Sequence, residues 1–331
     1  MSNPKKLTIL FLLIGCLISG SMFGYTVKGT AASTLIATDL QTDHLIPSLS
    51  SREIAFFPLV FKEAGSYSDL HFAVIGDYGN GSQAEADVAA LVKSWNPDLI
   101  ITTGDNNYPD GAADTIDENI GQFFYEFIFP YAGSYGEGAL ENRFFPSLGN
   151  HDWHTAGAQP CLDYFTLPGN ERYYDFTYGP VHFFVLDSDS DEPDGVDRDS
   201  VQAAWLQSQL ANSKYPWKIV YMHHPPYSSG EHGSANWMQW PFAEWGADVV
   251  ISGHDHTYER ISKDSILYFV NGLGGRSKYA FRDIVEGSQV RYNEDYGAML
   301  VAASEIMMRF QFINRQGMVV DAVELVKPLS H

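Results

Sequence analysis

From residue 70 onward the chain alternates short apolar runs with segments of helical period. Residues 71–75, 99–103, 144–148, 181–186, 219–222 and 249–252 are apolar runs of strand length. Residues 82–95 carry Val88, Leu91, Val92 and Trp95 at helical spacing, and residues 116–128 and 201–210 also read as helices. The tail, residues 266–326, reads as successive strands joined by turns. Strand–helix alternation predicts a sheet covered by helices, and the strand-rich tail predicts a second sheet. The expected class is α/β, with two stacked mixed β-sheets flanked by helices.

Each of the six runs ends on or beside a polar residue able to bind a metal or move a proton. Five of these ends are rich: Gly76-Asp77-Tyr78-Gly79, Gly104-Asp105-Asn106-Asn107-Tyr108-Pro109-Asp110, Gly149-Asn150-His151-Asp152, His223-His224-Pro225 and Gly253-His254-Asp255-His256. The sixth, Asp187, lacks such neighbours and reads as a loop residue. In open α/β sheets the carboxyl ends of the strands line one crevice, so these side chains are expected to converge. A hard dinuclear metal pair needs carboxylates, imidazoles and an oxygen able to bridge, and the set offers all three. One Gly-Asp step alone is a weak signal, because such steps are common in loops. Five rich ends in order, each after a strand, are hard to obtain by chance.

Composition narrows the partners. The 331 residues are 45% hydrophobic and 14% aromatic, enough for one large core. Lys and Arg number 20 against 41 Asp and Glu, a formal charge of -21. That surface repels a nucleic-acid backbone, so charge-driven DNA or RNA binding is not expected. It also repels a phosphate ester unless a strong cation sits locally in the site, and a metal pair is such a cation. At the N-terminus, Lys5 and Lys6 precede an apolar run over residues 7–18 and then small residues to Ala32. Residues 1–32 read as a targeting segment. Cleavage after Ala32, lipidation of Cys16 in Leu13-Ile14-Gly15-Cys16, and retention of residues 7–27 as an anchor are the three variants. In each the body is secreted, or extracytoplasmic and membrane-anchored, and attachment is through the N-terminus only. Residues 33–67 read as a linker with a weak strand signal over 56–61, and residues 68–331 as the catalytic domain. Cys16 and Cys161 are the two cysteines, so the folded body has no internal disulfide.

The five segments, in this order, resemble the calcineurin-like metallophosphoesterases, closely over residues 70 to about 260 and loosely beyond. Most of that superfamily carries Asp-X-His in the first segment, where this chain has Asp77-Tyr78-Gly79. The second segment places Tyr108 three residues after Asp105. Together with the run His254-Asp255-His256-Thr257-Tyr258-Glu259-Arg260, this looks like the purple (tartrate-resistant-type) acid phosphatases, in which the tyrosine ligates ferric iron. Carried over by position, the resemblance implies Fe(III) at Asp77, Asp105, Tyr108 and His256, with Asp105 bridging. Asn150, His223 and His254 would complete a second site for a divalent Fe, Zn or Mn. Carboxylates and a phenolate offset the charge of a trivalent ion, whereas the Asn and His set suits a divalent one. The plain alternatives are that Tyr108 is a loop aromatic and that Asn150 caps a helix. His223 and His224 compete for one ligand position. Met222-His223 matches the family's Met-His-X-Pro pattern, which leaves His224 as a loop or supporting group.

The resemblance also implies an acid. His151 matches the family's substrate-facing histidine, and Asp110 matches the carboxylate that orients it in plant-like members. Glu231-His232-Gly233 resembles a loop that supplies a second histidine near the leaving group. Trp153 and His154 either flank the substrate mouth or pack, and Tyr258-Glu259-Arg260 supports the metal histidines. The implied reaction is hydrolysis of small phosphate monoesters by metal-bound hydroxide, with an acidic optimum. A phosphodiesterase acting on nucleotides or lipid head groups shares this site, but typically keeps the histidine that Gly79 replaces. A non-catalytic binding protein is expected to have lost ligands, and here every ligand position is filled. The Gly-X-Ser-X-Gly elbow of a serine hydrolase does not occur.

Overall fold

Thirteen strands form two sheets in the computed structural model, which describes residues 69–328. The leader over 1–32, with Cys16, and the linker with its strand over 56–61 lie outside the described residues. In the first sheet, β1 (Leu70–Ile75), β2 (Leu99–Thr102) and β3 (Phe144–Pro146) run parallel. The antiparallel strands β11 (Gly297–Ala303), β12 (Met307–Asn314) and β13 (Val319–Val326) extend it from β1, giving the order β13-β12-β11-β1-β2-β3. The second sheet contains β4 (Tyr174–Tyr178), β5 (Val181–Val185), β6 (Trp217–Tyr221), β7 (Val249–Ser252), β8 (Tyr258–Lys263), β9 (Ile266–Asn271) and β10 (Ser288–Tyr292). Its order is β10-β8-β9-β7-β6-β5-β4, with β5, β6, β7 and β9 parallel. Two mixed sheets are thus present as expected, although the last three strands complete the first sheet rather than building the second.

Side chains of β5, β6 and β7 alternate between two cores. Phe183, Val185, Ile219, Tyr221, Val249 and Ile251 face the first sheet. Phe184, Val220 and Val250 face a separate apolar layer with Ala203, Leu206 and Leu210 of the helix Val201–Asn212. Strands buried on both faces read as nearly continuous apolar runs, which is why these were legible. Between the sheets the contact is aromatic. Phe145 of the first sheet stacks on Phe176 at 3.9 Å, Phe176 stacks on Phe183 at 4.7 Å, and Phe183 meets Phe72 edge-on at 5.1 Å. Farther along, Tyr258 stacks on Phe312 at 4.2 Å.

Two expected helices form nearly where their patterns place them. Ser82 caps Gln83–Ser94 by accepting the Glu85 amide, and Ser200 caps Val201–Asn212 by accepting that of Ala203. The helix expected over 116–128 is instead three short turns, Asp117–Gly121, Gln122–Phe124 and Tyr125–Phe127. Gly121, a poor helix former, sits at the first junction.

Phe183 is fully buried between the sheets. Phe183→Ala should lower the unfolding free energy by about 3–5 kcal/mol in urea titrations. Leu140→Ala, at a side chain 97% exposed, should change it by less than about 0.5 kcal/mol.

Candidate metal centre

The parallel strands of both sheets end at one edge, and the five rich segments follow β1, β2, β3, β6 and β7 there. The turns after them are tight. Asp77, Asp105 and His254 have φ of 56°, 51° and 69°, in the left-handed region that Asp and His tolerate better than most residues. Gly149 is needed for close approach, because a Cβ there would lie 2.2 Å from the Asp105 amide nitrogen. Gly104 has φ of 85°, and a Cβ on it would lie 2.7 Å from the His223 side chain.

Two clusters of donors result, joined at Asp105. In one, Tyr108 Oη lies 2.7 Å from Asp105 Oδ2, 3.4 Å from Asp77 Oδ1 and 3.2 Å from His256 Nε2. His256 Nε2 lies 3.3 Å from Asp77 Oδ1. In the other, His223 Nε2 lies 3.3 Å from Asp105 Oδ1, 3.0 Å from Asn150 Oδ1 and 3.2 Å from His254 Nδ1. All seven residues expected as ligands therefore converge. His223 Nδ1 donates to the Thr103 carbonyl at 2.8 Å, so its Nε2 lone pair faces the cluster, as a ligand requires. His224 also lies near, grouped with His223 and His254, but its Nδ1 pairs with Ser188 Oγ at 2.9 Å. Asn150 does not cap the helix Asn150–Trp153; Gly149 occupies the cap position.

The electrostatics fit cations. Burial raises the Asp77 carboxyl well above its usual range, against the pull of His223. Burial also raises Asp105, but the charges of His223 and His151 and the Tyr108 hydrogen bond outweigh it and leave Asp105 lowered. The Tyr108 phenol is raised by burial and then by Asp105 and Asp77. Two buried carboxylates, a phenol and imidazoles within contact distance form a hard donor set, and a cation between them removes the penalty of burying like charges.

Around this centre the expected proton donors take up different positions. The amide of His151 donates to Asp105 Oδ1 at 2.9 Å, and its ring lies 4.4 Å from that of Tyr108. Its Nδ1 donates to the Pro109 carbonyl, which leaves Nε2 facing Asp105 Oδ2 at 4.0 Å. The role expected of Asp110, orienting His151, is therefore taken by Pro109. The turn closed by the Gly111 amide on Asn107 O turns the Pro109 carbonyl inward, while the exposed Asp110 carboxylate sits 3.9 Å from His154. His232 stacks on His254 with ring centres 4.4 Å apart. Its loop is clamped from beneath. Asp255 accepts the amides of His232 and Gly233, and Glu259 accepts the amide and hydroxyl of Ser229. Trp153 packs, donating its indole N–H to Asp187 at 2.9 Å. Asp187, read as a loop residue, is thus a buried structural carboxylate.

Several supporting residues gave no sequence signal. Ser277 Oγ meets His256 Nδ1 at 2.5 Å, and Tyr279 stacks on the His256 ring at 4.1 Å and 6°. The Arg276 guanidinium lies 5.0 Å over the Tyr108 ring. All three follow β9, beyond the last recognisable segment. Asp152 did fall inside a motif, without an assigned role. It is fully buried, pushed up to about 7 by burial and by Asp105, and it accepts the amides of Gly149 and Asn106.

A pH effect follows from two imidazoles. Burial first, and the His223 charge second, hold His224 down to about 3; burial first, and Arg276 among the rest, hold His256 down to about 4. Unfolded, each takes a proton near pH 6.5. The unfolded chain thus binds more protons between about pH 6.5 and these folded values, so both groups cost stability as pH falls through that window. Raised carboxylates such as Asp77 act oppositely, so the difference between two proteins is the clean measure. In chelator-stripped protein, thermal melts from pH 7 to pH 4 should show a shallower decline for His224→Gln than for wild type. Parallel declines would remove His224 from this account.

Comparison with known proteins bears on the same residues. A family model described as calcineurin-like phosphoesterase matches residues 67–258. Purple acid phosphatase 17 of Arabidopsis thaliana is 28% identical over 261 residues, covering 69% of this chain and 74% of the relative. Tartrate-resistant acid phosphatase type 5 of Mus musculus is 24% identical over 261 residues, covering 67% and 77%. Among solved structures, the purple acid phosphatase PPD1 from yellow lupin (Lupinus luteus) seeds shares the fold with a TM-score of 0.63 at 19% identity, over 79% of this chain and 54% of that one. GAP50, the anchor in the inner membrane complex of Plasmodium, shares it with a TM-score of 0.61 at 21% identity, over 78% and 90%. With the family match spanning more than half its length, the chain belongs to the calcineurin-like phosphoesterase family and is a metallophosphoesterase, a hydrolase of phosphate esters.

Proposed function

We propose that the protein is an acid phosphatase acting on small phosphate monoesters through a centre of Fe(III) and a divalent Fe, Zn or Mn. One observation carries the reading: Asp105 directs Oδ2 into the cluster of Asp77, Tyr108 and His256, and Oδ1 into the cluster of Asn150, His223 and His254. The first cluster, with its phenol and two carboxylates, suits the trivalent ion; the second suits the divalent one. When bound, such ions supply Lewis-acid chemistry, acidifying water and offsetting phosphate charge in a protein whose own net charge is -21. The chain's residues do the rest. His151, held by Pro109 through Nδ1, hands a proton from Nε2 to the departing alkoxide. His232, carried over His254 on its clamped loop, supports the same step. Asp110, paired with His154, tunes the rim at a distance from the reacting atoms. The division into leader (1–32), linker (33–67) and catalytic domain (68–331), and hence export, belongs to the same proposal. Among the described residues, no helix is long and apolar enough to cross a membrane.

The diesterase alternative gains nothing from the geometry. A Cβ at Gly79 would lie 1.7 Å from the Asn106 carbonyl oxygen, so the histidine that diesterases typically keep there has no room.

Three experiments test the reading. Iron-loaded protein should be coloured by phenolate-to-Fe(III) charge transfer, and Tyr108→Phe should abolish the visible band; a colourless wild type sinks the assignment. In the same preparations, metal analysis should find both ions lost from Asp105→Ala but mainly the trivalent one from His256→Ala. Separately, His151→Ala should keep its metals and lose about 10²–10⁴ in rate on alkyl phosphates. The loss should shrink on p-nitrophenyl phosphate, whose leaving group needs little protonation. Equal losses on both esters would make His151 a phosphate anchor instead.

A further inference from the structure

Beside the metal centre lies a cavity of about 500 Å³, lined by Asn150, His224, Asp189, Ser190, Val196 and Trp237. Its inner end is shared with the second donor cluster through Asn150, so a phosphate held there would point its ester group outward along these side chains. None of the six is Lys or Arg. His224 is buried, its Nδ1 paired with Ser188 Oγ at 2.9 Å, and the same Oγ accepts the His224 amide at 2.8 Å. The indole of Trp237 is fixed rather than loose, because its N–H donates to the Ser188 carbonyl at 3.1 Å and its ring lies 5.6 Å from that of His224. The residue is nevertheless 43% exposed and lines the cavity together with the aliphatic Val196. Asp189 is buried, and its loop is pinned: its amide donates to Asp187 Oδ1, and its own Oδ1 accepts the Asp191 amide. Its Oδ2 has no hydrogen-bond or ion-pair partner among the described residues. A carboxylate oxygen without a protein partner, on a residue lining the cavity, can accept from a donor on a ligand.

Resting on the acid phosphatase reading, we propose that this cavity is the leaving-group subsite. It selects monoesters of planar or apolar alcohols that carry a hydrogen-bond donor or a cation, and it rejects alcohols carrying a second anion. The flat indole and the Val196 methyls receive the ring or hydrocarbon, Asp189 receives the donor, and no basic side chain is present to welcome a carboxylate or second phosphate. Asp189 and Trp237 are then specificity-determining residues for the reaction.

Three aryl esters separate this subsite from general charge effects: 4-(aminomethyl)phenyl, 4-(hydroxymethyl)phenyl and 4-(carboxymethyl)phenyl phosphate. The methylene keeps the three phenols of similar leaving ability, so differences in kcat/KM report recognition. Wild type should prefer them in the order amine, alcohol, carboxylate. Asp189→Asn should compress the amine-to-carboxylate ratio by roughly 10–100-fold, the range expected for one charge-assisted hydrogen bond. Steering by the net charge of -21 survives in that variant and fades with added salt, whereas the local preference does not. Trp237→Ala should raise KM for all three. Should Asp189→Asn fail to fold, Val196→Lys serves, and it should turn the preference toward the carboxylate. Calorimetric binding of the three matching phosphonates gives the ratio without turnover. Failure to hydrolyse any ester sinks the phosphatase reading alone. A flat order in both assays, or a ratio that neither variant moves, overturns the subsite.

Discussion

Keeping the carboxylates of Asp77 and Asp105 side by side and out of water is the constraint around which the molecule is arranged. Isolated, each buried charge would cost several kcal/mol. The chain lowers that cost with donors it already has. The His254 amide reaches both oxygens of Asp77 at 3.0–3.2 Å, and the His151 amide reaches Asp105. Those bonds require tight backbone turns, and left-handed residues outside glycine cost on the order of 1–3 kcal/mol each. The residues that adopt them, Asp77, Asp105 and His254, belong to types that bear that conformation best and are also the types a metal needs. Chemistry and backbone geometry thus ask for the same side chains at the same steps.

Such a centre needs walls that do not yield, and the two sheets supply them. Asp77, Asp105, Tyr108 and Asn150 follow strands of the first sheet, whereas His223, His254 and His256 follow strands of the second. Each donor cluster therefore draws on both sheets. The aromatic stack from Phe145 through Phe176 and Phe183 to Phe72 fixes their separation. Slippage between the sheets would open both clusters at once, which ties the packing of the core to the function of its edge.

Part of the acidic composition lies inside the protein rather than on its surface. Asp152, Asp187, Asp255 and Glu259 are all buried, and each ends on amides, hydroxyls or an indole of a loop that lines the site. They act as fasteners. Asp152 ties the second segment to the third, Asp187 holds Trp153, and Asp255 with Glu259 holds the loop of His232. A carboxylate serves well here because its two oxygens accept several N–H groups, and irregular loops leave many of those unpaired.

The sequence by itself determined six of the buried strands and the donor residues that meet at their ends. Runs such as Leu99–Thr102 and Val249–Ser252 are buried on both faces, so nearly every position is apolar and the run shows without knowledge of its neighbours. The converging donors were legible for a similar reason: each sits within a few residues of a strand end, where local turn chemistry and donor type coincide. Pairing was not legible. The C-terminal strands β11–β13 carry nothing in their pattern to say that they join β1, since hydrogen bonds between strands are made by backbone common to all residues. The partner of His151 was likewise decided only in space. Asp110 has the better chemistry on paper, but the turn at Asn107–Gly111 presents the Pro109 carbonyl inward and leaves Asp110 to the solvent. Ser277, Tyr279 and Arg276 lie beyond every motif, and Asp189 and Trp237 come from loops 48 residues apart. What is local in the chain could be read from it; what depends on which loops meet across two sheets was decided by the tertiary structure.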